Sequence, residues 1–286
     1  MEKQNSAGEG MVVRTGYDQR LGMGRALPRK PAQDLDSDPA MMVQEQIARI
    51  KFLASKTAIA GKEILDLGCG TGFNTAYLMG KLNASQVLGV DISKSAVEFA
   101  RSTYPFGSFL EGDISSPLLD CGTAAWDVIL CCEVIEHVPH PEALLDTVHR
   151  HLDGAGMAFI STPNRPVFSL NYEPSPVNHT HIKEYTLSEF RDMLQAKFSK
   201  VEIWGQRFSN AQHFAMQQGI VLRNIADYRL LGEWYWQNSV RRIWKTLRLE
   251  PLRRWFGGGL RYDHRDFTFV NPVSQDSVWL CALVGK

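Results

Sequence analysis

Short apolar runs alternate with helical stretches through the middle of the chain, and this alternation restricts the fold more than any other feature. EILDLG is an apolar run ending in glycine, and FNTAYLMGKL after it has helical spacing. QVLGVDIS is followed by the helix SAVEFARSTY, GSFLEGDI is a third run, and WDVILCCEV is a fourth, succeeded after His-Pro by PEALLDTVHRHL. GMAFISTPN is a fifth run, VEIWGQRF a sixth and SVWLCALVGK a last. Strands alternating with helices at this spacing predict βαβ units and a parallel sheet. Nearly continuous apolar strands predict a sheet covered on both faces, and right-handed crossovers leave few topologies.

Before this pattern, residues 41–60 repeat Met42, Ile47, Ile50, Leu53 and Ala54 at helical spacing, and Gly61 is expected to stop that helix. Residues 1–40 are rich in Gly, Pro and charge without a period, so they read as a flexible segment or lid, with Arg14 and Tyr17 placed to close over a site. Residues 41–286 read as one domain carrying a mostly helical insertion at about 210–265. The first twenty residues lack the apolar core of a secretory signal, and no run of about 20 apolar residues spans a membrane. Five cysteines without a framework spacing, two of them adjacent (Cys131 and Cys132), fit a reduced cytoplasmic setting.

Three features cluster at the carboxyl ends of the expected strands, where open α/β sheets bind ligands. The first is Gly68-Cys69-Gly70-Thr71-Gly72, a turn between a strand and a helix. Glycines there admit a ligand close to the backbone, and the helix start offers amides. The spacing G-x-G-x-G misses the third glycine of the dinucleotide pattern, which argues against a nicotinamide cofactor. Asp66, taken as part of the turn, can accept from a cationic or amino group. The second feature is Asp91, followed by Ile92, an acid suited to ribose hydroxyls or, as the alternative, to capping a helix beside Ser93. The third is Asp113-Ile114, where a carboxylate can meet an adenine amine.

Taken in order, LDLGCGTG, GVDIS, EGDI and WDVILCCEVIEHV resemble the class I S-adenosylmethionine-dependent methyltransferases, over roughly residues 45–205. The resemblance implies a Rossmann-like sheet of seven strands with the last antiparallel, and S-adenosyl-L-methionine as cofactor. It assigns the glycine loop to Gly68, Gly70 and Gly72, the ribose acid to Asp91 and the adenine acid to Asp113 with Ile114. It also places Cys131 and Cys132 after the fourth strand, where backbone passes along the cofactor.

Methyl transfer further needs a nucleophilic acceptor, made so by a base or a metal. On a helical turn, Glu133, Glu136 and His137 would share one face. With a histidine from the segment Asn178-His179-Thr180-His181 they could hold a divalent ion such as Mg. The gap to Tyr185 leaves His179 and His181 both open for that place. The pattern resembles the ubiquinone-biosynthesis O-methyltransferases and the small-RNA 2′-O-methyltransferases. Without a metal, His137 or His181 is the expected base.

Overall charge is balanced, 31 basic against 31 acidic residues, which argues against nucleic acid as partner. Locally the balance breaks. Residues 210–256 hold eight basic residues (Arg223, Arg229, Arg241, Arg242, Lys245, Arg248, Arg253, Arg254) and three acids. Trp236, Val240, Ile243, Trp244 and Leu247 align on one helical face there, a pattern suited to peripheral membrane contact through residues 236–256 or to a lipid-linked acceptor. The expected function is O-methylation of a small-molecule, glycan or lipid-linked hydroxyl. The alternatives are RNA 2′-O-methylation with a Glu/Glu/His/His metal site, and a catalytically silent binding subunit.

Overall fold

The computed structural model describes Asp36 and residues 40–122, 125–172, 178, 180–231 and 262–286. Residues 1–35 and 37–39 of the lid expected over 1–40, His179, and the Trp-rich part of the insertion at 232–261 lie outside the described residues.

Eight strands form one sheet: β1 Glu63–Leu67, β2 Gln86–Asp91, β3 Ser108–Glu111, β4 Trp126–Cys132, β5 Leu152–Pro163, β6 Lys200–Phe208, β7 Phe267–Val270 and β8 Trp279–Gly285. Their order is β3-β2-β1-β4-β5-β8-β6-β7. Strands β1 to β5 pair in parallel where they adjoin, and β8 runs antiparallel to both β5 and β6. This is the Rossmann-like sheet with an antiparallel closing strand. The structure adds one strand to the seven expected: β7, a four-residue edge strand antiparallel to β6.

Helices α1 Met41–Lys56, α2 Phe73–Leu82, α3 Lys94–Thr103, α4 Pro141–His151, α5 Arg165–Phe168, α6 Leu187–Gln195 and α7 Ala211–Leu231 surround it. Alternate strand residues go to opposite faces, so the sheet carries two cores. Ile64, Val128, Leu130 and Phe159 pack with α1, α2 and α3 through Ile47, Tyr77 and Val97. Leu65, Leu67, Ile129, Cys131 and Ile160 pack with α4 and α6 through Leu144, Val148, Phe190 and Leu194. That double burial is why these strands read as unbroken apolar runs.

Two expectations for α1 change. It ends at Lys56, where Thr57 turns extended, before Gly61 is reached. Met42 is half exposed, whereas Glu45 and Arg49 are buried with Ile47, Ile50 and Leu53. Among the described residues no helix is long and apolar enough to cross a membrane.

The chain runs outward from β1 to β2 and β3, then returns to add β4 on the other side of β1. The crevice beyond the carboxyl ends of β1 and β4 is therefore the place where such a sheet accepts a ligand.

Candidate active site

The glycine loop closes that crevice from below. Gly68, Gly70 and Gly72 all have positive φ, at 74°, 53° and 83°. Gly68 N–H and Cys69 N–H donate to the Val90 carbonyl at 2.8 and 3.0 Å, tying the loop to the end of β2. A Cβ on Gly68 would lie 2.4 Å from Val134, and one on Gly72 would lie 2.7 Å from Phe109 and 2.9 Å from Ala100. These two glycines are packing requirements. Gly70 differs: a Cβ there would meet nothing within 4 Å, so it borders open space. Gly72 is the N-cap of α2 and brings no side-chain bond, so amides of the first turn are left to be met by a ligand or solvent.

Asp91, the last residue of β2, is buried and gripped by backbone. Gly70 N–H donates to Oδ2 at 2.8 Å and Ser93 N–H to Oδ1 at 2.8 Å. The cap of α3 is Ser93 itself, whose hydroxyl accepts from Ala96 N–H at 3.3 Å. Asp91 thus fixes the loop and keeps the remaining lone pairs of two aligned carboxylate oxygens. Ile92 beside it is 50% exposed, an apolar surface at a strand tip. Asp113 lies past β3 with an exposed carboxylate whose Oδ1 accepts from Ser115 N–H at 2.9 Å, while Ile114 is buried in the core.

Two placements correct the reading from sequence. Asp66 belongs to β1 rather than to the turn, paired in register with Gly89 and Leu130. It is buried and accepts from Thr75 Oγ1 at 2.8 Å, and burial raises its pKa to about 7. Burial also raises Asp91. Cys131 and Cys132 are the last residues of β4 rather than residues beyond it, with Cys132 half-buried at the tip.

Glu133, Glu136 and His137 do not occupy one helical face. Ile135–His137 form a single 3-10 turn, and Glu133 stands before it with φ 56°. Its carboxylate accepts from Ser161 Oγ at 2.8 Å and pairs with Arg49 Nη2 at 3.4 Å, and it is not among the residues whose ligand atoms converge. The structure instead brings Glu136, His137 and His181 together, with one ligand atom from each within 4.8 Å of the others. Glu136 is fully buried. Its Oε2 accepts from Thr162 Oγ1 at 3.1 Å, and its Oε1 has no partner. Burial, with Glu133 nearby, holds its pKa well above the ordinary carboxylate value.

The two imidazoles meet edge to face, centroids 4.8 Å apart. His137 Nδ1 lies 3.0 Å from the Thr180 carbonyl, an atom that can only accept, so Nδ1 carries the proton. Burial, and then His181, lower the His137 pKa to about 4, so it is neutral at physiological pH with Nε2 unprotonated. His181 donates from Nδ1 to Glu184 Oε1 at 2.7 Å, and its Nε2 lies 2.8 Å from Asn178 Nδ2. Phe168 of α5 lines the same recess, its ring 5.6 Å from that of His181. Ile182 N–H and Lys183 N–H both donate to the Glu136 carbonyl, so this segment is fastened to the 3-10 turn by backbone.

Arg49 was not anticipated from sequence. It is 1% exposed, inside the molecule beside the tip of β4. Burial works against its charge, but Glu133 and Glu45 more than compensate and keep it protonated. Burial pushes Glu45 up to about 8. The available signal was Glu45 and Arg49 at i,i+4 on an otherwise apolar helix.

These elements agree with what the chain resembles. A family model described as a methyltransferase domain matches residues 42–197. A probable S-adenosylmethionine-dependent methyltransferase of Mycobacterium tuberculosis is 30% identical over 174 residues, 60% of this chain and 60% of its own length. The ubiquinone biosynthesis O-methyltransferase of an Azoarcus species is 32% identical over 120 residues, 41% of this chain and 51% of its own. The chain therefore spans about half to three-fifths of the curated relatives it matches. Among solved structures, an S-adenosylmethionine-dependent methyltransferase from Archaeoglobus fulgidus shares the fold at TM-score 0.53 with 14% identity, over 85% of this chain and 94% of its own. One from Thermotoga maritima, described as a possible histamine N-methyltransferase, does so at TM-score 0.51 with 15% identity, over 84% and 91%. With the glycine loop, the fixed acid at the tip of β2 and a family model covering more than half its length, the chain belongs to the methyltransferase domain family.

Proposed function

We propose that this protein is an S-adenosylmethionine-dependent methyltransferase acting on a hydroxyl of a small-molecule, glycan or lipid-linked acceptor. The observation that carries the cofactor assignment is the Asp91 carboxylate, held at the tip of β2 by the Gly70 and Ser93 amides beside a loop that leaves space at Gly70. Those residues fit an adenosyl group: Asp91 for the ribose hydroxyls, Ile92 for a flat apolar ring face, and Asp113 for an exocyclic amine. When bound, the cofactor supplies an activated sulfonium methyl. Asp66 and Arg49 offer the two charges that a zwitterionic amino-acid end requires. Arg49 is the stronger case, because among the described residues neither Nη1 nor Nη2 has a hydrogen-bond partner although both are buried, each being only in ion-pair range of a glutamate. A carboxylate would satisfy them, and a buried unpaired donor costs about 1–3 kcal/mol.

O-methylation rests on the paired histidines. His137, neutral and oriented by Thr180, takes the proton from an acceptor hydroxyl as oxygen becomes a nucleophile. His181, aligned by Glu184, flanks it. Holding acceptor and methyl at attack distance supplies about 7–11 kcal/mol. A second reading, a divalent cation such as Mg held by Glu136, His137 and His181, is favoured by their convergence and by the unpartnered Glu136 Oε1. Turnover that survives exhaustive chelation discards that reading. Peripheral membrane contact through residues 236–256 rests on the sequence pattern, and anionic vesicles that fail to bind the protein at low salt would remove it.

The cofactor assignment is tested by calorimetry with S-adenosylhomocysteine. Asp91→Ala should weaken binding by about 1–3 kcal/mol, roughly ten- to a hundredfold. Unchanged affinity overturns the reading.

A further inference from the structure

The unusual feature of Arg49 is how it is held. Its Nε–H donates to Gln206 Oε1 at 2.7 Å. Gln206 lies on β6, more than 150 residues away in sequence, and is completely buried. Its own amide is fixed in turn, because Nε2 donates to the Glu45 carbonyl at 3.2 Å and so determines which way the amide faces. The guanidinium lies over the Trp279 ring of β8, Cζ 5.3 Å from the centroid. Nη1 and Nη2 stand 3.7 and 3.4 Å from carboxylate oxygens of Glu45 and Glu133, in ion-pair range but without a hydrogen bond. The planar group is thus clamped at one nitrogen and one face, while its two-pronged end faces Glu45 and Glu133 at ion-pair distance without a hydrogen bond to either among the described residues. A fork of that shape matches a carboxylate.

We propose that Gln206 is a positioning residue that aims Arg49 at the carboxylate of a ligand's amino-acid end, with Trp279 as the platform beneath. This rests on the reading of Arg49 given above. A neutral amide suits the task. An acid at 206 would compete with the ligand for the guanidinium, and an apolar residue would leave the buried Nε–H without an acceptor. Arg49 and Glu133 also act by charge on Glu136 of the acceptor side, so the readout is cofactor affinity and not rate.

The test compares two ligands by calorimetry. S-adenosylhomocysteine carries the amino-acid end, whereas methylthioadenosine has the same adenosine and sulfur but lacks it. Gln206→Met should weaken S-adenosylhomocysteine about tenfold and leave methylthioadenosine within about twofold. Equal weakening of both ligands, or of neither, overturns the proposal, since a residue that merely supports the fold would not discriminate between them. Arg49→Met separates the two levels of inference. If it leaves the preference for S-adenosylhomocysteine intact, the reading of Arg49 fails. If it abolishes the preference while Gln206→Met does not, only the role of Gln206 fails. The double variant should bind no more weakly than Arg49→Met alone, because residues acting through one contact are not additive. Should Gln206→Met not fold, Gln206→Glu retains an acceptor for Nε–H but adds the competing charge. It should reduce the preference for S-adenosylhomocysteine, and an unchanged preference would overturn the proposal.

Discussion

The two sides of the crevice are built differently. The cofactor side is made by backbone: amides of Gly68, Cys69, Gly70 and Ser93 are each committed to a carbonyl or carboxylate at the end of β2. The residues proposed for the adenosyl group, Gly68 to Asp113, come from the ends of consecutive strands within fifty positions. The acceptor side is made by side chains, His137 held by the Thr180 carbonyl, His181 by the side chains of Glu184 and Asn178, and Glu136 by that of Thr162. Its two histidines are 44 positions apart and meet where Ile182 N–H and Lys183 N–H bond the Glu136 carbonyl of the 3-10 turn. A backbone cradle preserves one ligand geometry, whereas a side-chain recess can be rebuilt for another acceptor without disturbing the sheet. The two sides should therefore respond separately to substitution.

The sharpest separation is expected at His137. Replacing it with Ala should lower kcat by about 10²–10⁴, the usual contribution of a general base, while leaving the calorimetric affinity for S-adenosylhomocysteine unchanged. A parallel loss of cofactor affinity would show that the two sides are one coupled unit.

The same division explains how much was legible in the sequence. The glycine loop, Asp91 and the strands carry local signals, because each strand is buried on both faces and each tip residue acts through its own backbone neighbourhood. Glu133 was misplaced because E-x-x-E-H was read with α-helical spacing, and the chain takes a left-handed residue and a 3-10 turn there instead. Arg49 and Gln206 were missed because their partnership spans α1 and β6, and neither has a meaning until the sheet brings β6 beside β8. Strand β7 was missed because FTFV is short, lies just past the insertion, and pairs only along one edge.

A smaller effect separates packing from ligand approach within the loop itself. Gly68→Ala and Gly72→Ala drive a methyl into Val134 or into Phe109 and Ala100, in a backbone region that disfavours side chains. Each should lower unfolding stability by about 2–3 kcal/mol, measured by denaturant titration. Gly70→Ala meets no atom, so its stability cost should be only about 1 kcal/mol. Its methyl projects into the cradle, however, and affinity for S-adenosylhomocysteine should fall by about tenfold or more. If Gly70→Ala instead resembled the other two, the loop would be a tight turn and nothing else.

The smallest effect concerns Asp66 and depends on pH. Burial raises its pKa to about 7, so in the empty protein the carboxyl is largely protonated below neutrality. If a cationic amino group of the ligand approaches it, the ionised form is favoured and the pKa falls. Binding then expels a proton, and mass action requires affinity to rise with pH below about 7 and to level off above it. The slope cannot exceed tenfold per pH unit for one proton, about 1.4 kcal/mol. Asp91, also raised by burial, titrates on the same side and contributes in the same direction, so the diagnostic measurement is the difference between the wild type and Asp66→Asn. That variant keeps an acceptor for Thr75 but has no proton to lose. Its S-adenosylhomocysteine affinity should vary less with pH than the wild type between about 5.5 and 8. A profile identical to the wild type would confine Asp66 to its bond with Thr75, making it a support of the cradle rather than part of its charge.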